Sequence, residues 1–223
     1  MFLTSTPSET NKRTLVAVNE ADGKILWQRE WDGPTFRQHS DNSYTSASPA
    51  VDSERVYVWW SSPEQSWLAA VDQKSGREVW KRELGAFVAQ HGAGSSPVVF
   101  EDSVILDFSQ EERDGQGSYT LCVDARTGDV RWKAARQSST STSSTPCIFQ
   151  PKGGSAQLIL INRTSGMTSL DPKTGKVNWE MPKLLPKRCV ASPVVTENGL
   201  IIAQCGEGQS ESFVYAVRPG ADG

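Results

Sequence analysis

The sequence predicts an all-β repeat array, and three features carry that prediction. An eleven-residue phrase recurs as AVNEADGKILW (17–27), AVDQKSGREVW (70–80), CVDARTGDVRW (122–132) and SLDPKTGKVNW (169–179), and AVRPGADG (216–223) opens a fifth copy. The glycines of the phrase, Gly23, Gly76, Gly128 and Gly175, are spaced by 53, 52 and 47 residues, a period that marks units stacked on their neighbours. Between the phrases, short apolar runs rich in β-branched and aromatic residues alternate with turn residues, and no long window repeats apolar residues at the helical period.

One repeat, 46–84, shows the element order. Ser-Ala-Ser-Pro leads into a short apolar strand, Asp-Ser-Glu-Arg turns it back into VYVWW, SSPEQS joins that to WLAAVD, and the phrase supplies the last turn and the outer strand EVWKREL. The same order gives repeats 95–136 and 144–182, with partial repeats at 1–31 and 192–223, so 1–223 reads as a single domain. Pro49, Pro97, Pro146 and Pro193 open the first strands, where a missing amide is tolerated at a sheet edge. Four-stranded antiparallel sheets repeated radially are the blades of a β-propeller, here a partial one.

Within the phrase, Asp72, Asp124 and Asp171 are placed to bond amides of their own turns, and Gly76, Gly128 and Gly175 to supply positive φ. Two residues before the aspartate position stand Ala17, Ala70, Cys122, Ser169 and Ala216, all small. They leave room for the indoles of Trp27, Trp80, Trp132 and Trp179, which are read as packing keys between strands or blades.

The bulk properties exclude several classes. A net charge of −3 with Lys and Arg scattered through the turns gives no nucleic-acid footprint, and no apolar run is long enough for a transmembrane helix. The first residues show strand-like pieces around a polar turn, with no signal-peptide pattern in this chain, so Met1 reads as lying inside a repeat and the chain as an excerpt of a longer protein.

Function is expected on the propeller face where the blade-joining loops open: 37–46, 88–96 and 137–145, with the middle loops 61–66, 109–118 and 205–212. The only histidines, His39 and His91, fall in consecutive blade-joining loops. Neither has a second His or Cys at ligand spacing, so no metal site is assigned and loop hydrogen bonding is the default. His39, Gln90 and His91 are the candidate ligand contacts at the channel mouth. QSSTSTSST (137–145) reads as a blade-joining loop and EERDG (111–115) as a solvated turn. Cys189 and Cys205 bracket the TENG turn almost equally, which leaves two options, a disulfide across paired strands or two buried thiols, the thiols being the default.

The repeated phrase resembles the tryptophan-docking motif of pyrroloquinoline-quinone-like (PQQ-like) β-propeller repeats, found in quinoprotein alcohol dehydrogenases and in the propeller lipoprotein of the outer-membrane Bam assembly machinery. The stretches TSASPAVDSERVYVWW, QHGAGSSPVVFEDSVIL and VASPVV resemble secreted bacterial proteins of this kind. The resemblance covers the whole chain and implies a seven- or eight-bladed fold, of which about four and a half repeats are present. It also implies a periplasmic, secreted or envelope-associated full-length form. The family's dehydrogenases carry a vicinal cysteine pair, a Glu, Asn and Asp set around calcium, and a catalytic aspartate. Here Cys122, Cys147, Cys189 and Cys205 stand apart and no acidic set matches, so neither PQQ with calcium nor any catalytic residue is assigned. The leading expectation is a non-catalytic module that binds a protein or extracellular ligand through its loop face and self-associates through exposed end blades. The alternatives are a fragment of a PQQ- and calcium-dependent dehydrogenase and an outer-membrane assembly factor similar to the Bam lipoprotein.

Overall fold

In the computed structural model, residues 1–7, 10, 12–37, 39, 42–111, 117–208 and 211–220 are described. Five antiparallel sheets follow one another along the chain, with no helix among the described residues. None of these residues forms a helix long and apolar enough to cross a membrane. The first sheet has three strands, β1 (Phe2–Ser5), β2 (Arg13–Val18) and β3 (Ile25–Trp31). The second has four: β4 (Ala50–Val51), β5 (Arg55–Trp60), β6 (Ser66–Asp72) and β7 (Glu78–Gly85). The third comprises β8 (Val98–Phe100), β9 (Ser103–Phe108), β10 (Ser118–Asp124) and β11 (Val130–Arg136). The fourth comprises β12 (Cys147–Phe149), β13 (Gln157–Asn162), β14 (Gly166–Leu170) and β15 (Val177–Met181). The last has β16 (Val194–Val195), β17 (Ile201–Gly206) and β18 (Ser212–Val217). This is a partial propeller, three full blades between two three-stranded ones.

Each sheet is a meander whose strands pair in chain order, as loops of a few residues dictate. The first strands of the last four sheets form the inner rim, where β4 lies against β8 and β12 against β16. Each is preceded directly by its proline. Central strands such as β5, β9 and β13 are buried on both faces, whereas the outer strands β7 and β11 alternate. The reason is visible in the core, which is four clusters, one at each joint between blades. Leu15 and Trp31 of the first blade pack on Val56, Val58, Trp60 and Trp67 of the second. Tyr57, Trp59 and Leu68 on the opposite face of that second blade pack on Leu106, Phe108 and Leu121 of the third. Ile105 and Cys122 then meet Leu158 and Leu160, and Ile159, Ile161 and Met167 meet Ile201, Ala203 and Cys205. Alternation along a strand therefore sends successive side chains into different joints, and stability is a sum over joints.

Candidate functional site

The recurring turn is built locally. Asp72 Oδ1 accepts the Ser75 amide at 2.8 Å, Asp124 Oδ1 the Thr127 amide at 3.0 Å and Asp171 Oδ1 the Thr174 amide at 3.2 Å. Gly76, Gly128 and Gly175 have φ of 71°, 75° and 71°, left-handed values that any Cβ disfavours. Their amides donate to the aspartate carbonyls at 3.0, 2.9 and 2.8 Å. Ala17, Ala70, Cys122 and Ser169 stand directly opposite Trp27, Trp80, Trp132 and Trp179 in register, and each pairing breaks at a bulge one residue later. A bulge re-aims the side chain beside it, and these four indoles sit next to theirs.

The first three rings leave their own blades. Trp27 Nε1 donates to the Gln73 carbonyl at 3.1 Å, Trp80 Nε1 to the Ala125 carbonyl at 3.0 Å and Trp132 Nε1 to the Pro172 carbonyl at 3.0 Å. Each acceptor directly follows the turn aspartate of the next blade. The rings lie flat on that turn's glycine, so that a Cβ at Gly76, Gly128 or Gly175 would come within 2.7, 2.7 and 2.5 Å of the indole. Gly23 keeps the same φ of 72° with nothing against it. Trp179 donates instead to Gln157 Oε1 of its own blade at 2.9 Å; residues 221–223 of the fifth phrase lie outside the described residues.

At the inner rim, the residue before each proline forms a second chain of bonds. The Ser48 amide donates to Ser96 Oγ at 2.9 Å, the Ser96 amide to Thr145 Oγ1 at 2.9 Å and the Thr145 amide to Ser192 Oγ at 3.0 Å. Blades are thus tied at two radii, outside by an indole and inside by a hydroxyl.

The loop face rests on this frame. His39 and His91 meet across the gap between consecutive loops, ring centroids 4.2 Å apart with planes inclined by 41°. The loop bearing His39 is clamped by Tyr44, whose hydroxyl accepts the Phe36 amide at 3.0 Å and donates to the Phe36 carbonyl at 2.6 Å. The Arg13 guanidinium lies 4.0 Å above the Tyr44 ring. The loop bearing His91 is held to the third blade, where Glu111 Oε1 accepts the Gln90 amide at 2.9 Å and Gln110 Oε1 the Val88 amide at 2.9 Å. The Gln90 side chain is exposed. In the loop 137–145, Ser138, Ser141, Thr142 and Ser144 are buried, with Thr142 Oγ1 donating to the Cys189 carbonyl at 2.7 Å. The EERDG turn lies outside the described residues beyond Glu111.

Cys189 and Cys205 are free thiols in one core cluster. Cys189 precedes β16 in the loop and not in a strand paired with β17. Burial, with Cys205 beside it, pushes its thiol up to about 12. A polar group that the sequence did not signal lies between the third and fourth blades. Asp107 and Arg136 are both buried with Nε 3.6 Å from Oδ1, Thr120 Oγ1 donates to that oxygen at 3.1 Å, and burial raises the Asp107 carboxyl. A cavity of about 330 Å³ beside Arg136 is walled by Thr164, Thr168 and Glu180. Nothing in the spacing set Arg136 apart from other outer-strand cations.

The comparisons fit this geometry. The family described as outer membrane protein assembly factor BamB matches residues 11–218. The chain belongs to that PQQ-like propeller family. No curated protein matches it. Among solved structures, BamB from Moraxella catarrhalis is 15% identical, with 90% of this chain and 51% of that one aligned at a TM-score of 0.59. A europium-containing methanol dehydrogenase gives 14%, 91%, 45% and 0.63, and the quinohemoprotein alcohol dehydrogenase from Comamonas testosteroni 15%, 91%, 38% and 0.54. The chain spans about half or less of these structures, and likeness at such identity establishes the fold alone. The four cysteines sit apart, Cys122 and Cys205 inside different joints, and no three His, Cys, Asp or Glu side chains gather as a metal cradle among the described residues.

Proposed function

We propose that the chain is a binding module of the cell envelope, engaging a protein partner through the face made by its blade-joining loops and carrying out no chemistry itself. The observation that supports this best is the contact of His39 with His91. Two loops far apart in sequence are fixed against each other, with Gln90 exposed beside them, on a rim braced by indole and hydroxyl ties. Rigid scaffolds that present polar loop groups are suited to recognition. The family description, outer membrane protein assembly factor, supports the envelope location and a protein as the partner, and an outer-membrane polypeptide is the partner class to test.

The test is fluorescence anisotropy of a labelled, unfolded outer-membrane β-barrel polypeptide titrated with the chain. Saturable binding that weakens at least about tenfold in the Gln90→Ala, His91→Ala double variant supports the loop face. A control variant, Lys74→Ala, lies on the turn at the opposite ends of the strands. Affinity unchanged in the double variant, or lost only in the control, overturns the assignment. Calcium-dependent dye reduction on addition of PQQ would replace binding by catalysis.

A further inference from the structure

We infer that the cleft between the third and fourth blades binds a small zwitterionic α-amino acid with an apolar side chain, its carboxylate on Arg136 and its ammonium on Glu180. The cleft is a cavity of about 330 Å³ with β11 on one side and β14 and β15 on the other, at the small end of the roughly 300–1,000 Å³ that small-molecule sites span. Among the described residues that line it, Arg136 is the one cation and Glu180 the one carboxylate. They stand on different blades and no ion pair joins them, so the two charges face a common space that a ligand carrying both signs can bridge. Ala134, Leu170 and Val177 complete the wall and give an apolar side chain its surface.

The Arg136 side chain is only 4% exposed, yet neither its Nε nor its Nη2 has a hydrogen-bond partner. Buried polar groups are ordinarily satisfied, and these two nitrogens form the side-on edge that a carboxylate takes with two parallel bonds. Asp107 does not fill that role. Its Oδ1 lies 3.6 Å from Nε, beyond hydrogen-bond reach, already accepts Thr120 Oγ1 at 3.1 Å, and belongs to a carboxyl that burial raises toward its neutral form. Nor does the fold demand the pair, since in the sheet register Asp107 takes the place that Trp59 fills in the second blade. Glu180 is exposed at the mouth; Thr168 Oγ1 donates to its Oε1 at 3.2 Å, which positions the carboxylate and leaves Oε2 for an ammonium. The cleft is also braced. Asn162 Nδ2 and Ser165 Oγ donate to the Gln137 carbonyl at 3.2 and 3.1 Å, and the Ser139 amide to Thr164 Oγ1 at 2.9 Å, pinning the turn between β13 and β14 to the start of the blade-joining loop.

The experiment titrates the full chain with L-valine and L-leucine by calorimetry and NMR, alongside isovalerate and isobutylamine, each of which keeps one of valine's two charges. Saturable uptake of one amino acid per chain is expected, at least about tenfold weaker for either single-charge compound, in Glu180→Gln and in Asp107→Asn, Arg136→Met. The second variant changes both partners so that no buried charge is left alone. Because Glu180 is exposed, Glu180→Gln reads the site with the core intact even if the buried variant folds poorly. No uptake of either amino acid by the wild-type chain overturns the inference. So does uptake unchanged in Glu180→Gln, and isovalerate binding as tightly as valine overturns it too, by reducing the cleft to a carboxylate pocket. No polypeptide partner is present, so the result stands apart from the anisotropy test of the loop face.

Discussion

Gly128 does two jobs, of which Gly23 shares only one. Both take φ above 70°, but the ring of Trp80 lies on Gly128 and nothing lies on Gly23. Gly23→Ala meets backbone strain alone, about 1 kcal/mol. Gly128→Ala adds the displacement of a packed indole and is expected to cost about 2–4 kcal/mol in total, measured by urea denaturation of the two variants side by side. Nearby, Arg131 bonds Asp124 at 2.7 Å and Asp102 at 2.6 Å. Its hydrogen bond holds Asp124 down at about 2. A carboxyl depressed on folding stabilises above its unfolded value near 4 and loses that contribution as pH falls through about 2. Arg131→Ala is expected to flatten the acid loss of stability between about pH 4 and pH 2, by a small amount because the pair is solvated. The turn aspartates and glycines were legible because they recur. The carbonyls that receive the indoles, on Gln73, Ala125 and Pro172, were not, since a backbone acceptor leaves no mark on residue identity. Cys189 illustrates the same limit, because distance from a turn in sequence does not say which residues extend into strands.

At the scale of elements, the strand order of every blade followed from β-branched runs and turn residues, and the sheets pair in that order. The Ser or Thr before each proline was visible as a recurring lead-in, but its bond crosses to another blade, 47–49 residues away. Ser96→Ala removes the acceptor for the Ser48 amide while leaving its own amide bonded to Thr145, and is expected to cost about 1 kcal/mol. Ser192→Ala does the same for Thr145. If calorimetric unfolding of Ser96→Ala matches the wild type, the inner tie carries no stability. The loops were the least legible elements. Their lengths and polarity set the face on which function is expected, yet the approach of His39 to His91 depends on two loop conformations and on the blade-to-blade rotation, none of which has a local sequence signal.

For the whole molecule, four joints rather than one core determine behaviour. Apolar side chains remain uncovered on the first and last blades, Ile25 and Leu26 at 61% and 64% exposure and Val194 and Val214 at 59% and 68%. Apolar surface and open strand edges of this kind promote association, so the purified chain is expected to self-associate with rising concentration in light scattering; a constant monomer mass would remove that expectation. Fold class was readable at this scale because a period near fifty residues and a fixed phrase leave few architectures. Purpose was less so, since one propeller frame serves both the assembly-factor and dehydrogenase relatives.

The indoles of Trp27, Trp80 and Trp132 join neighbouring blades rather than bracing their own. Gly128 shares a hairpin with Trp132 but carries the ring of Trp80. Residue-resolved exchange of the indole N–H protons in Gly128→Ala tests this directly. Faster exchange at Trp80, with Trp27 and Trp132 still protected, is the predicted result; faster exchange at Trp132 alone, or at none of the three, would contradict it.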